Sequence, residues 1–258
     1  MATKLSIITI NFNNLSGLEK TSKSIHLQTY LDYEWLVVDG GSTDGSLDFI
    51  KTIANSRLKY ISEKDDGIYD AQNKGIQNTT GEYLLFLNSG DSFYQNNSLE
   101  SIFLQNPKED FLYFDLYMNE EIIKYPQKID YLFLFTNIIN HQSQIIHRSV
   151  FEKYGLYNKE YSFSADYDFL LRIFRDFKIS YKHFPIVLSS YDTTGVTSSI
   201  ENQNLIHKEK NEIRKQNIPY EILTPLQEYV LLEKNYLAIK NAWTTKLIHK
   251  LGSLFKVK

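Results

Sequence analysis

The chain reads as an α/β protein with a mostly parallel sheet flanked by helices. Short apolar runs alternate with segments of helical periodicity through the first half of its 258 residues. Two of those runs pass straight into acidic, glycine-containing loops. Trp35-Leu36-Val37-Val38 enters Asp39-Gly40-Gly41-Ser42-Thr43-Asp44-Gly45, and Tyr83-Leu84-Leu85-Phe86-Leu87 enters Asn88-Ser89-Gly90-Asp91. In such a sheet the carboxyl ends of the strands border the crevice where ligands bind. Two acidic strand ends therefore predict a site for a polar, metal-bound and phosphate-bearing ligand.

The elements follow in order. Residues 5–10 form the first strand, ending at Asn11-Phe12-Asn13-Asn14. A helix over 16–28 has Ser16 as N-cap and Glu19 at the capping-box spacing. Strand two covers 34–38. Helix two opens near Asp44 or Ser46, with Leu47, Phe49, Ile50 and Ile53 on its apolar face. Strand three covers 58–62, a helix 69–77 and strand four 83–87. This order implies right-handed crossovers. The middle is less regular: the aromatic-rich 111–118 is a strand, 149–154 a short helix and 186–191 a further strand. Residues 165–177 form a helix, from the spacing of Tyr167, Leu170, Leu171 and Phe174. Beyond Ser198 the chain turns charged and helical, over 200–216 and 226–240. The division expected is one domain over 1–200 and a helical C-terminal extension over 201–258.

Hydrophobic residues make up 42% of the chain, enough for a sizeable core. The net charge of −3 argues against nucleic acid as a partner. With no cysteine there are no disulfides and no thiolate metal sites, which suits a reducing cytoplasm. The longest apolar stretch, 131–139, is interrupted by Thr136 and Asn137 and is too short to span a bilayer. No signal peptide precedes the first strand, so a soluble or peripherally attached protein is expected.

Each candidate residue has a plain structural alternative. Asp39 either shapes its turn or binds ligand; Asp44, nearer the helix, is the better cap. The cluster Glu63-Lys64-Asp65-Asp66 is either a solvated loop or, at the same sheet edge as Asn11, Asp39 and Asp91, part of the site. Asp91 stands seven residues before the next helix, too far to cap it. It suits a hard cation, since Mg²⁺ or Mn²⁺ is often held by one or two carboxylates plus substrate phosphates. Asp166 and Asp168 open a helix, where one can cap and the other face the cleft; Asp166 is the choice of base. His141 and Gln142 are either structural or a wall of the cleft.

Taken together, Thr9-Ile10-Asn11-Phe12-Asn13, the loop from Val38 to Gly45, Gly67-Ile68-Tyr69-Asp70-Ala71-Gln72-Asn73-Lys74-Gly75, Gly81-Glu82-Tyr83 and Asn88-Ser89-Gly90-Asp91 resemble family 2 glycosyltransferases with the GT-A fold. The match covers roughly residues 4–200 and is most similar to bacterial enzymes of surface polysaccharide synthesis. The resemblance implies an inverting hexosyl transfer from a nucleotide-diphosphate sugar, UDP-linked, to a hydroxyl of a glycan or lipid-linked glycan. It implies that Asn11, Asp39 and Asp65 hold the nucleotide, Asp39 at the base, with Gly67, Asn73 and Asp91 also on the nucleotide-sugar. His141, Gln142 and Asp168 would stand on the acceptor side or in the cleft wall. Asn88 and Gly90 stand where the family's metal motif commonly carries acids, leaving Asp91 as metal ligand for Mn²⁺ or Mg²⁺. Ala165-Asp166 aligns with the family's Glu-Asp pair, its base retained and its acidic neighbour not.

At the carboxyl end, Trp243, Leu247, Leu251, Leu254 and Phe255 recur at helical spacing, flanked by Lys246, Lys250, Lys256 and Lys258. A basic amphipathic helix suits the inner surface of the cytoplasmic membrane; the alternative is a helix packed on its own domain. Two other functions compete. A nucleotidyltransferase would carry a basic phosphate loop after strand one, and residues 11–17 hold no Lys or Arg. A catalytically silent sugar-nucleotide-binding or scaffold protein would not need Asp166 and Asp91.

Overall fold

The computed structural model describes residues 3–193 and 200–254, those from 241 on as helical backbone only. Its first half alternates strand and helix: β1 (Leu5–Asn11), α1 (Leu15–His26), β2 (Tyr33–Asp39), α2 (Ser46–Thr52), β3 (Leu58–Ser62), α3 (Ile68–Gln77) and β4 (Tyr83–Phe86). There follow β5 (Ser92–Phe93), α4 (Ser98–Phe103), β6 (Phe111–Met118), β7 (Glu121–Ile123), α5 (Tyr131–Thr136), β8 (Gln144–His147), α6 (Arg148–Tyr154), α7 (Ala165–Ile173) and β9 (Tyr181–Ser190). Two helices complete the described chain, α8 (Gln203–Asn217) and α9 (Tyr220–Leu254).

The strands form one sheet in the order β3-β2-β1-β4-β8-β6-β9-β5, with β7 also on β6. β1 to β4, β6 and β9 run one way; β5, β7 and β8 run the other. The parallel half is the one that the alternating pattern foretold. The register pairs Asn11 with Asp39 and Asp39 with Ser62, so three strands present polar ends at one level.

Side-chain alternation along the strands feeds two cores, one on each face. Leu5 and Ile7 of β1, Tyr83 and Leu85 of β4 and Leu112 and Phe114 of β6 pack with Leu18 and Ile25 of α1 and Leu99 and Ile102 of α4. Ile8, Leu84, Phe86, Phe111 and Tyr113 pack on the other face with α3, α6 and α7. Gly75 of α3 lies so close to Ile8 that a Cβ would collide with its side chain, which presses α3 flat on β1. Ile213 of α8 and Leu223 of α9 are buried in the second core, so residues beyond 200 pack on the sheet's helical layer.

Several ends differ from the sequence reading. Asn14, not Ser16, caps α1: its side chain accepts from Gly17 N at 3.0 Å. Asp44 accepts from Ser46 N and from Leu15 N, tying the openings of α1 and α2 together. α9 begins before Pro225 and runs through it. The missing N–H is tolerated because burial of Ile218 and Leu223 holds that turn against the core. The basic apolar stripe from Trp243 to Lys258 lies outside the residues whose side chains are described. No helix among the described residues is long and apolar enough to cross a membrane.

Candidate active site

The segments that follow β1, β4 and β9 line a cavity of about 550 Å³, together with the starts of α3 and α7. The first wall is the loop after β1, Phe12 to Asn14; Asn11, which precedes it, joins a buried network on Asp39, which does not line the cavity. Asn11 Nδ2 (2.9 Å) and Ser42 Oγ (2.5 Å) donate to its Oδ1, and Ser42 N (3.0 Å) and Ser62 Oγ (2.7 Å) donate to its Oδ2. Burial alone would raise the acid's pKa. The donations from Ser42, Asn11 and Ser62 outweigh it and hold the carboxyl below its usual range. Four donors surround the carboxylate and fix the loop from Asp39 to Ser42. Asn11, by contrast, keeps a buried Oδ1 with no partner.

Asp65 sits beside this network. Its Oδ1 accepts from Gly67 N at 3.0 Å, and its Oδ2 lies 2.6 Å from where a Cβ at Gly40 would stand. A side chain at Gly40 would displace the Asp65 carboxylate. Gly67, at φ 112°, makes the turn into α3 and does not border the cavity. Phe12 follows Asn11 and is 65% exposed, its ring bordering the cavity.

The second wall is the segment from Asn88 to Asp91. Thr21 Oγ1 of α1 accepts from Gly90 N at 3.0 Å and lies 2.6 Å from Asp91 O, while Asn14 Nδ2 donates to Ser89 O at 3.1 Å. Asp91 is 3% exposed, and burial pushes its pKa up to about 6. Its Oδ1 accepts from Asp192 N at 2.9 Å. Gly90 has φ 106°, and the space a Cβ would need there is filled by the Asp192 carboxylate. Asp192 thus brings a second carboxylate to Asp91 from the far end of β9. The sequence reading missed it, although an acid directly after the strand 186–191 repeats the layout of Asp39. Among the described residues no group of three acids or imidazoles could cage a metal. Two carboxylates beside an open cavity fit a hard cation that takes its other ligands from phosphates and water; Asp91 and Asp192 would hold it.

The third wall carries the candidate base. Asp166, in the first turn of α7, keeps 16% of its side chain exposed and borders the cavity. Its Oδ1 accepts from Tyr69 Oη at 3.0 Å and from Tyr167 N at 2.8 Å; its Oδ2 faces His141 Nδ1 at 3.7 Å. Burial would raise its pKa, but His141, the Tyr167 N–H and the Tyr69 hydroxyl prevail and hold the carboxyl below its usual range. His141 Nε2 in turn meets Asn88 Nδ2 at 2.9 Å. Gln142 is 1% exposed, and neither end of its amide has a partner, though it borders the same cavity.

Like Asn11, Asp39, Asp65 and Gly67, two further residues grouped with the site by sequence are not part of the cavity's lining. Asn73 donates through Nδ2 to Tyr157 O and accepts through Oδ1 from Tyr157 N, which uses both ends of its amide to hold a loop. Asp168 is 4% exposed, pairs with Arg172 Nε at 2.8 Å and accepts from Asn217 Nδ2 at 3.2 Å. The Asn217 bond ties α7 to α8, and Asp168 does not border the cavity. Neither aspartate caps α7.

The sequence profile of glycosyl transferase family 2 matches residues 6–111. A PGL/p-HBAD biosynthesis glycosyltransferase of Mycobacterium tuberculosis is 34% identical over 205 residues, covering 77% of this chain and 80% of that protein. An uncharacterized glycosyltransferase of the same species is 31% identical over 209 residues, covering 78% and 79%. Among solved structures, S. aureus TarS 1-349 in complex with UDP-GlcNAc superposes with a TM-score of 0.62 at 18% identity, over 73% of this chain and 58% of that one. A mannosyltransferase of Pyrobaculum calidifontis in complex with GDP-Man and Mn²⁺ gives 0.62 at 17%, over 93% and 71%. With the sheet topology and strand-end loops above, these similarities identify the chain as a member of glycosyltransferase family 2 with the GT-A fold.

Proposed function

We propose that the chain is an inverting hexosyltransferase that uses a nucleotide-diphosphate sugar, UDP-linked, and Asp166 as its base. The observation that carries this reading is the Asp166 carboxylate, ionised at neutral pH, bordering the same cavity as Asp91. An acceptor hydroxyl beside Asp166 attacks the anomeric carbon. The bond from that carbon to the diphosphate oxygen breaks, and the hydroxyl proton passes to Asp166. Tyr69 and the Tyr167 N–H hold Oδ1, which leaves Oδ2 for the proton. A divalent cation, when bound by Asp91 and Asp192, would supply positive charge to the leaving diphosphate. The exposed Phe12 ring, which borders the cavity, offers a stacking face for the nucleobase. UDP and Mn²⁺ occur with the related folds, in TarS and in the mannosyltransferase respectively.

The acceptor we infer is a glycan, lipid-linked, in bacterial surface polysaccharide synthesis at the inner face of the cytoplasmic membrane. The basic segment after 242 supports the membrane part, as do Tyr229, Leu232 and Tyr236 of α9, all exposed. The similar mycobacterial protein is named for PGL/p-HBAD biosynthesis. A thermal-shift panel of nucleoside diphosphates tests the donor reading. UDP should stabilise the chain, more so with Mn²⁺; no shift with any nucleoside diphosphate would overturn it.

A further inference from the structure

A second cavity, of about 310 Å³, lies beside the first and shares Ile138, Asn140 and Lys210 with it. Its wall bears three cations, Lys124, Lys210 and Arg214, and no carboxylate. Aromatic side chains complete it, among them Tyr125, Phe133 and Tyr167. This contrasts with the first cavity, which gathers Asp91, Asp166 and Asp192.

The cations differ in how they are held. Arg214 is fixed: Nε donates to Tyr167 Oη at 3.1 Å, Nη1 donates to Asn211 Oδ1 at 3.0 Å, and the guanidinium lies 4.7 Å from the Phe135 ring centre. Lys210 is half-buried and has no hydrogen bond or ion pair among the described residues; its ammonium sits 5.7 Å from the Tyr167 ring centre. Burial pushes its pKa down, while Asp166 pushes it back up, so the ammonium and the candidate base feel one another. Lys124 is exposed. Within the second cavity's wall every formal charge is positive, and the acid that Lys210 feels, Asp166, belongs to the first cavity.

We propose that this second cavity is the acceptor subsite and that it takes an acceptor bearing an anionic group, phosphoryl or carboxylate, on an apolar frame. The aromatic wall receives the frame. Lys210, Lys124 and Arg214 receive the anion, and the shared wall leaves the reactive hydroxyl on the side of Asp166. The proposal rests on the reading of the first cavity as the donor and base site. A nucleotide-sugar diphosphate belongs with the cation at Asp91 and Asp192, so the second anion site serves the other substrate.

Phenyl phosphate, benzoate and phenol are titrated calorimetrically, with and without saturating UDP and Mn²⁺. The two anions against each other decide between phosphoryl and carboxylate. At least one should bind about tenfold or more tighter than phenol, equally well with UDP present. Lys124→Gln, on the surface, and Lys210→Gln should each weaken that anion several-fold, and Lys124→Gln should leave UDP affinity within twofold. Displacement of the anion by UDP would assign the cations to the donor diphosphate and overturn the proposal. Equal binding of phenol, or anion affinity unchanged in both variants, would overturn it as well. Failure of UDP to bind at all would remove the donor reading instead, and the arm without UDP would still decide the anion site.

Discussion

Asn88 and His141 meet at 2.9 Å, Nδ2 to Nε2, across the mouth of the cavity. Asn88 therefore meets an imidazole that faces the candidate base. His141 is one of the groups that hold the Asp166 carboxyl below its usual range. Removing it lets that pKa rise, and the base is active only when ionised. His141→Ala should thus move the acid limb of the pH–rate profile to higher pH, with turnover above that limb reduced several-fold. Asn88→Ala should shift the limb the same way and less. A limb that stays in place in both variants would make the pair structural only.

Asp91 is a buried acid with its pKa raised to about 6. The unfolded chain gives up this proton at lower pH than the folded chain does. The cost to the fold therefore appears as pH rises through the ordinary carboxylate range and is complete above about pH 6. Asp91→Asn keeps an oxygen for Asp192 N and removes the charge. In metal-free urea melts it should raise stability at pH 8 by on the order of 2 kcal/mol, have little effect near pH 4, and abolish Mn²⁺ binding. A variant less stable than the parent at pH 8 would show that the buried charge is fully compensated.

Asp39 acts through its loop. Ser42 gives it two hydrogen bonds and Ser62 a third. Asp39→Ala should lower stability by about 1–3 kcal/mol and weaken UDP binding about tenfold. Ser42→Ala should reproduce much of the binding loss, because the loop relaxes without its hydroxyl. If Ser42→Ala leaves UDP affinity unchanged while Asp39→Ala abolishes it, Asp39 reads the base directly.

The strand-end loops were legible because each follows an apolar run long enough to be a strand, and glycines mark where the chain must turn. β3 was legible to the residue. β5 and β8 were not: Ser92–Phe93 is too short to show a period, and Gln144–His147 is a strand only because β4 and β6 flank it. Asp166 was found from its helix start, whereas its partner Tyr69 is 97 residues away. Asp168 had its Arg172 partner in view at i+4, the spacing of a helix ion pair. Its other partner, Asn217, was hidden until α8 packed on α7. Lys210 sits in a charged helix that reads as a solvated face, and only its neighbours make it unusual.

The carboxyl-terminal segment makes a separable prediction. A chain ending at 241 should no longer sediment with anionic vesicles, while UDP binding persists. Each lysine near such a surface contributes about 1 kcal/mol, and high salt should weaken the parent's attachment by screening them. Loss of the cooperative melt on truncation would place the segment in the core and contradict the membrane reading.

The central claim is that Asp166 is the base, and its isosteric amide is the direct test. Asp166→Asn retains an oxygen for Tyr69 Oη and Tyr167 N and loses only the ability to take a proton. The measurement is nucleoside diphosphate release from the nucleotide sugar, set against calorimetric donor affinity on the same preparation. The account predicts release slowed by roughly 10²-fold or more with affinity within a few-fold of the parent. Release at the parent rate, with donor binding intact, would contradict it.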